Sequence, residues 1–331
     1  MSDRPDPGRR WAAAACLAAP LVAGAALSRR VRAALVGARD LSDGWVDVAA
    51  AGFPRTLHGP TGERWALARP PRRIVSTYLC ADEILAALVS PDRVVGISFF
   101  ADDPAISSCA GHYPPAVPRL RTQVETILAL EPDLVCVAGF SEPNALRLMI
   151  GAGLPILRWS RFDTFADVLG NVRALGAAVG ADGPARALVG SADATLADLA
   201  RRLEGVHPTR VLYFDPPSFT VGRDTLIDEI LRRAGGLNVA AAAGMVGPGQ
   251  IGVEAALGLD PEAIVTPRYG DGPPPLETLR AMPLWREMPA VRAGRVYEAP
   301  GTFMGDVSHH AVEALAQLAR RLHPEVFVQT K

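Results

Sequence analysis

The stretch VETILALEPDLV at 124–135 returns in the second half of the chain as VEAALGLDPEAI at 253–264. Five of the paired positions are identical, and three more exchange Glu with Asp or Val with Ile. Each copy is a short helical run that stops at a proline and opens into an apolar strand. A second pair lies upstream, DEIL at 82–85 and at 228–231. Each sits in the first helix after the first strand of its half. The order strand, D-E-I-L helix, V-E helix, proline turn, strand is thus used twice. Two similar α/β lobes is the economical reading; chance likeness of generic βα units is the competing one. Glu83 to Glu125 spans 42 residues and Glu229 to Glu254 spans 25, so the first half carries an insertion of 17, expected within 101–119.

Working outward, apolar strands are expected at 73–76, 94–97, 134–138 and 155–159, then at 210–214, 263–266 and 295–298. Helical patterns separate them, which implies parallel βαβ units and a mostly parallel sheet in each lobe. A hairpin is expected from RTLH at 55–58 and ERWAL at 63–67 around GPTG at 59–62, whose Gly and Pro suit a turn. No strand pattern appears from 162 to 206. Helices are expected there at 166–179 and 184–203, with Pro184 in the first turn of the second. About 20 helical residues span roughly 30 Å, enough to join two lobes by one long α-helix. The expected organisation is an export signal at 1–28, a linker at 29–52, a lobe at 53–162, a helical linker at 163–206 and a second lobe at 207–331, with a ligand cleft between the lobes.

The chain has 331 residues, 49% of them apolar, and a net charge of -1. That is core enough for two domains, and no basic face for nucleic acid. Near the N-terminus Arg9 and Arg10 precede the short apolar run Trp11 to Ala25, the form of an export signal and too short for a confident membrane span. The arginine pair permits twin-arginine export, and an uncleaved leader would act as a membrane tether. The alternative is a buried or interfacial helix. Four cysteines occur. Cys16 lies in the leader without a lipobox. Cys136 reads as core, and Cys80 and Cys109 as a disulfide or two free thiols.

Catalytic motifs are missing. Gly139-Phe140-Ser141 runs into Glu142, and Gly151-Ala152-Gly153 lacks a dinucleotide context. Cys80, Asp102, Asp103, Cys109 and His112 have no metal-ligand spacing and read as solvated loop residues. Aromatic side chains do fall near strand ends, where open α/β sheets bind ligands. The cleft candidates are Tyr78, Phe99, Phe100, Phe140, Trp159, Phe219, Tyr269 and Phe303, with Arg223 as the basic one. Such a cleft suits a large, partly apolar ligand.

Several segments together resemble the periplasmic binding proteins for ferric siderophores, haem and vitamin B12, the helical-backbone class of ABC transporter receptors. They are PRRIVS at 71–76 with its DEIL helix, VVG at 94–96, LEPDLV at 130–135, GGLNV at 235–239, and the run from Pro283-Leu284-Trp285 to Ala290–Tyr297. The resemblance covers about 53–327. It implies two α/β lobes on one long helix, a periplasmic protein, no catalysis and no resident cofactor, the cargo bringing its own iron or cobalt. It also implies docking of one acid per lobe, Glu125 and Glu254, onto an ABC permease in the inner membrane. A monomer binding a ferric siderophore or similar metal chelate is expected, with a corrinoid or haem as the alternative cargo. A two-lobed chelatase-like enzyme and a ligand sensor are the readings from other classes.

Overall fold

The computed structural model describes residues 43–47, 52–121, 123–268, 272–300 and 307–327. The expected export signal lies outside the described residues. Among them, no helix is long and apolar enough to cross a membrane.

A small antiparallel sheet comes first: β1 (Trp45–Asp47), β2 (Arg55–His58) and β3 (Arg64–Leu67). The hairpin is as expected; β1 adds a third strand from within the stretch assigned to a linker. The first lobe follows as β4 (Ile74–Ser76), α1 (Leu79–Leu88), β5 (Val94–Ser98), β6 (Arg119–Leu120), α2 (Val124–Ala129), β7 (Leu134–Ala138), α3 (Pro143–Gly151) and β8 (Ile156–Trp159). Two helices come next, α4 (Phe165–Val179) and α5 (Asp182–Arg202). The second lobe is β9 (Thr209–Tyr213), β10 (Phe219–Val221), α6 (Leu226–Arg233), β11 (Gly236–Asn238), α7 (Val239–Ala242), β12 (Pro248–Gln250), α8 (Val253–Gly258), β13 (Ala263–Arg268), α9 (Pro275–Ala281), α10 (Pro289–Arg292), β14 (Val296–Pro300), α11 (Ala311–Leu322) and α12 (Pro324–Phe327).

The two main sheets are parallel, in the orders β6-β5-β4-β7-β8 and β11-β9-β13-β14. Without the short edge strand β6, the orders superpose strand for strand. The repeated turn superposes in its bonding too. In the first lobe Arg73 donates from Nε to the carbonyls of Leu130 and Glu131, and its backbone N–H donates to Asp133. In the second, Arg210 donates from Nε to the Asp260 carbonyl and from Nη2 to that of Leu259, and its N–H donates to Glu262. Glu131 and Asp260 both carry positive φ, 44° and 45°. The repeat is therefore structural and not a coincidence of letters.

Alternation along the strands sends side chains to opposite faces. Ile74, Leu134, Cys136 and Leu157 join one large cluster that also contains Val211, Val265 and residues of α1, α4, α5, α6 and α11. Val75, Val135 and Ile156 face α2 and α3 in a second cluster, and Leu212, Phe214 and Ile264 face α8, α9 and α10 in a third. The inner core is thus shared by both lobes and each outer core is private. Helix α5 is the bridge. Its N-terminal Asp182 takes two hydrogen bonds from Arg55 of the small sheet, and just past its other end Leu203 lies by Gly235 of the second lobe.

Candidate functional site

The carboxyl ends of β4, β5, β7 and β8 carry most of the expected rings. Tyr78 is the residue before α1, in extended conformation. Its ring meets Trp159 edge-on at 5.9 Å and Phe162 at 6.2 Å. Tyr78 and Trp159 are buried, 5% and 1% exposed. Neither the Tyr78 hydroxyl nor Trp159 Nε1 has a hydrogen-bond partner. Phe99 and Phe100 follow β5 with ring centroids 3.8 Å apart. The Arg121 guanidinium lies 3.9 Å from the Phe99 ring centre, a favourable cation–π placement. Phe140 follows β7 and is 55% exposed.

The second lobe differs from expectation at Phe219. It opens β10 of the antiparallel β10–β12 pair and does not end a parallel strand; its ring stands edge-on to Tyr213 at 6.4 Å. Arg223 sits 3.8 Å from the Asp224 carboxylate. Both line a cavity of about 330 Å³ together with Asp163, Thr164, Thr225 and Asn238. Tyr269 and Phe303 lie outside the described residues. Phe162, Arg121 and Arg268, which the sequence analysis does not single out, also stand at or just beyond strand ends. Arg268 ends β13 and reaches the Glu298 carboxylate at 3.4 Å. Its place directly after the apolar run AIVTP was the available signal; Phe162 and Arg121 lie in loops, where no periodicity marks them.

The insertion runs from Phe99 to Pro118, between β5 and β6. It packs Ile106, Cys109 and Tyr113 into the shared core, which explains why a loop so long is ordered. Cys80, Cys109 and Cys136 are buried free thiols. Burial raises all three, Cys109 to about 12, which keeps them protonated and unreactive. Asp102 pairs with Arg119. Among the described residues, no group of three His, Cys, Asp or Glu side chains could hold a metal ion.

Glu125 and Glu254 occupy the same place in the two lobes. Each lies in the first turn of its short helix, α2 or α8, and each is exposed. Acids there complement the helix dipole and leave their carboxylates free for a partner.

The sequence matches the periplasmic binding protein family over residues 74–302. It is 27% identical over 290 residues to an uncharacterised ABC transporter substrate-binding lipoprotein of Bacillus subtilis (strain 168), covering 83% of this chain and 87% of that protein. A cobalamin-binding protein of Halobacterium salinarum is 24% identical, over 83% of this chain and 75% of its own length. Among solved structures, a periplasmic heme binding protein from Pseudomonas aeruginosa matches with a TM-score of 0.64 at 26% identity, over 77% of this chain and 93% of that one. With two parallel sheets of equivalent strand order bridged by α5, the chain belongs to the periplasmic binding protein family, the substrate-binding partners of ABC transporters, which bind and deliver rather than catalyse.

Proposed function

We propose that this protein captures a preformed metal chelate in the cleft between the lobes of 53–162 and 207–331, and presents it to the permease through Glu125 and Glu254. What supports the reading is the set of rings presented at the strand ends of the first lobe: Phe140, exposed, and Phe99, Phe100 and Phe162, half-buried, with Phe162 edge-on to the buried Tyr78 that meets Trp159. Flat apolar surface with a few polar atoms suits a wide, partly apolar guest that brings its own metal. Phe219, Arg223, Tyr269 and Phe303 are proposed to complete the cleft from the second lobe.

Among chelates, a corrinoid is favoured by the cobalamin-binding relative. A ferric siderophore is the second reading; Arg121, Arg223 and Arg268 around the strand ends would supply its positive contacts. Export by the N-terminal signal and action as a monomer complete the proposal. Two acids, one per lobe, fix the register of docking by charge complementarity, which governs encounter and specificity more than affinity.

The test is thermal unfolding of the mature protein with cyanocobalamin, haemin, ferrichrome or ferric enterobactin. A ligand at a hundredfold excess over its Kd stabilises by about 2.7 kcal/mol. A clear rise with one chelate and none with the others supports the reading; no rise with any removes it. Glu125→Ala with Glu254→Ala should then abolish uptake while leaving chelate affinity unchanged.

A further inference from the structure

Each D-E-I-L helix reaches out of its own lobe. Glu83 of α1 accepts a hydrogen bond from Ser308 Oγ at 2.6 Å. Ser308 leads into α11, which packs on α6 and β14 of the second lobe. Glu229 of α6 accepts from the backbone N–H of Phe165 at 2.7 Å. Phe165 begins α4, which packs on α1, β1 and β8 of the first lobe. The two contacts are related by the same repeat that relates the sheets, and each ties one lobe's helix to the start of a helix packed on the other lobe.

We propose that Glu83 and Glu229 are reciprocal latches that set the spacing of the two lobes, and that only the Glu83 latch is proton-switched, tight in mild acid and loosened in mild alkali. The asymmetry is in the neighbours. Glu229 also accepts from Arg233 Nε at 2.6 Å, one helical turn on; the first lobe has Ala87 at that place. Glu83 lies beside Asp82, and both are buried, 1% and 0% exposed. From α1 Cys80 faces the pair, from β4 Ser76, from β5 Ser98, from the insertion Ser108, Cys109 and Tyr113, from β7 Cys136, and from the approach to α11 Ser308, with His309 and His310 next in sequence. Arg119, itself bound to Asp102, is the cation that acts on Asp82, and among the described residues none is seen to act on Glu83. Burial raises the thiols and the Tyr113 phenol, and lowers His309 to about 3, so none of these gains charge near neutrality. Burial also raises Glu83 and Asp82 to about 7 each. Below that pH the pair is neutral and the cross-lobe bond rests on an uncharged carboxyl. Above it Glu83 is charged in a desolvated site beside Asp82; the serine bonds favour that charge but burial outweighs them, and parting the lobes readmits water to Glu83.

The experiment is hydrogen exchange of the whole mature protein from pH 6 to 8, corrected for intrinsic rates, read at 307–314 and at 165–170. The expected result is exchange at 307–314 about tenfold faster at pH 8 than at pH 6, equivalent to a loss of about 1.4 kcal/mol of protection, with 165–170 unchanged. Glu83→Gln should flatten the step, Asp82→Asn should move its midpoint to lower pH, and Ser308→Ala should leave 307–314 fast at both ends. A Glu83→Gln protein that keeps the wild-type step, equal steps at both segments, or a Ser308→Ala protein that matches wild type would each overturn the proposal.

Discussion

In the first lobe Asp82 and Glu83 are followed one turn later by Ala86 and Ala87; in the second, Asp228 and Glu229 are followed by Arg232 and Arg233. Asp228 pairs with Arg232 at 2.9 Å and Glu229 with Arg233 at 2.6 Å. Asp82 instead accepts from the Ser98 hydroxyl, and Glu83 from two serines. One scaffold thus houses the same carboxylate pair twice, once compensated by charge and once by neutral donors. The insertion from Phe99 to Pro118 is part of the reason. It folds over α1, and its Tyr113 hydroxyl donates to the Asp82 carbonyl at 2.5 Å. In the second lobe, where no such loop exists, Asp228, Arg232 and Asn238 border the open cavity of about 330 Å³. Covering a carboxylate removes the solvent that an exposed arginine partner needs for its own charge.

The largest expected effect concerns the core that the lobes share. Trp159 is 1% exposed in the common inner cluster, and Trp285 is 4% exposed in the private outer cluster of the second lobe, its ring 3.8 Å from Phe214. Replacing either by alanine should cost about 3–5 kcal/mol. The contrast lies in cooperativity. Trp159→Ala should lower a single unfolding transition, because its neighbours bind both lobes, whereas Trp285→Ala should split the calorimetric trace by loosening one lobe first. A single transition in both variants would erase the distinction between shared and private cores.

Next in size is the pH response. Asp82 and Glu83 take up protons in the folded protein near pH 7, because burial penalises their charged forms, and in the unfolded chain near 4. Between those values the folded state holds more protons, so stability falls as pH rises. The stabilisation is complete below about 4 and is lost through about 7. Wild-type protein should lose about 2–4 kcal/mol from pH 5 to pH 8 in urea unfolding. The Asp82→Asn, Glu83→Gln double variant should flatten that slope, and a slope unchanged in the double variant would assign the titration elsewhere.

Much of this was legible in the sequence. The repeated VExxLxLxP segments located α2 and α8 correctly, and with them the paired turns and the two sheets. The strands missed, β1, β6, β10, β11 and β12, are two or three residues long, too short for any alternation to register. Site residues were harder. Tyr78 and Trp159 stood out as cleft candidates because they lie at the ends of apolar strands, but their burial was not readable, since it depends on how the two strand ends, Phe162 and α4 pack together. The carboxylate asymmetry was in plain view as DEILAA against DEILRR, yet its meaning required knowing what covers each helix.

A smaller effect tests whether the arginines account for the difference between lobes. Arg232→Ala with Arg233→Ala makes the second helix resemble the first. Both arginines are about half exposed, so the expected loss is modest, about 1–2 kcal/mol at pH 8. It should shrink in high salt, which screens half-exposed pairs. A loss independent of salt would point to packing of the arginine stems instead.

The smallest effect asks how alike the lobes are where they look identical. Glu131 and Asp260 both sit at positive φ in turns clamped by Arg73 and Arg210. A side chain in the left-handed region costs about 1–2 kcal/mol, and glycine would relieve that. Glycine also adds freedom to the unfolded chain, which costs about 0.4–1 kcal/mol. The balance favours glycine slightly, so Glu131→Gly and Asp260→Gly should each stabilise by less than about 1 kcal/mol. Because the clamp is the same, the two gains should agree within about 0.5 kcal/mol and should add in the double variant, the sites being far apart. Opposite signs at the two turns would mean that one lobe bears a strain its twin does not, and the equivalence drawn from backbone angles and arginine contacts would fail in energy though it holds in shape.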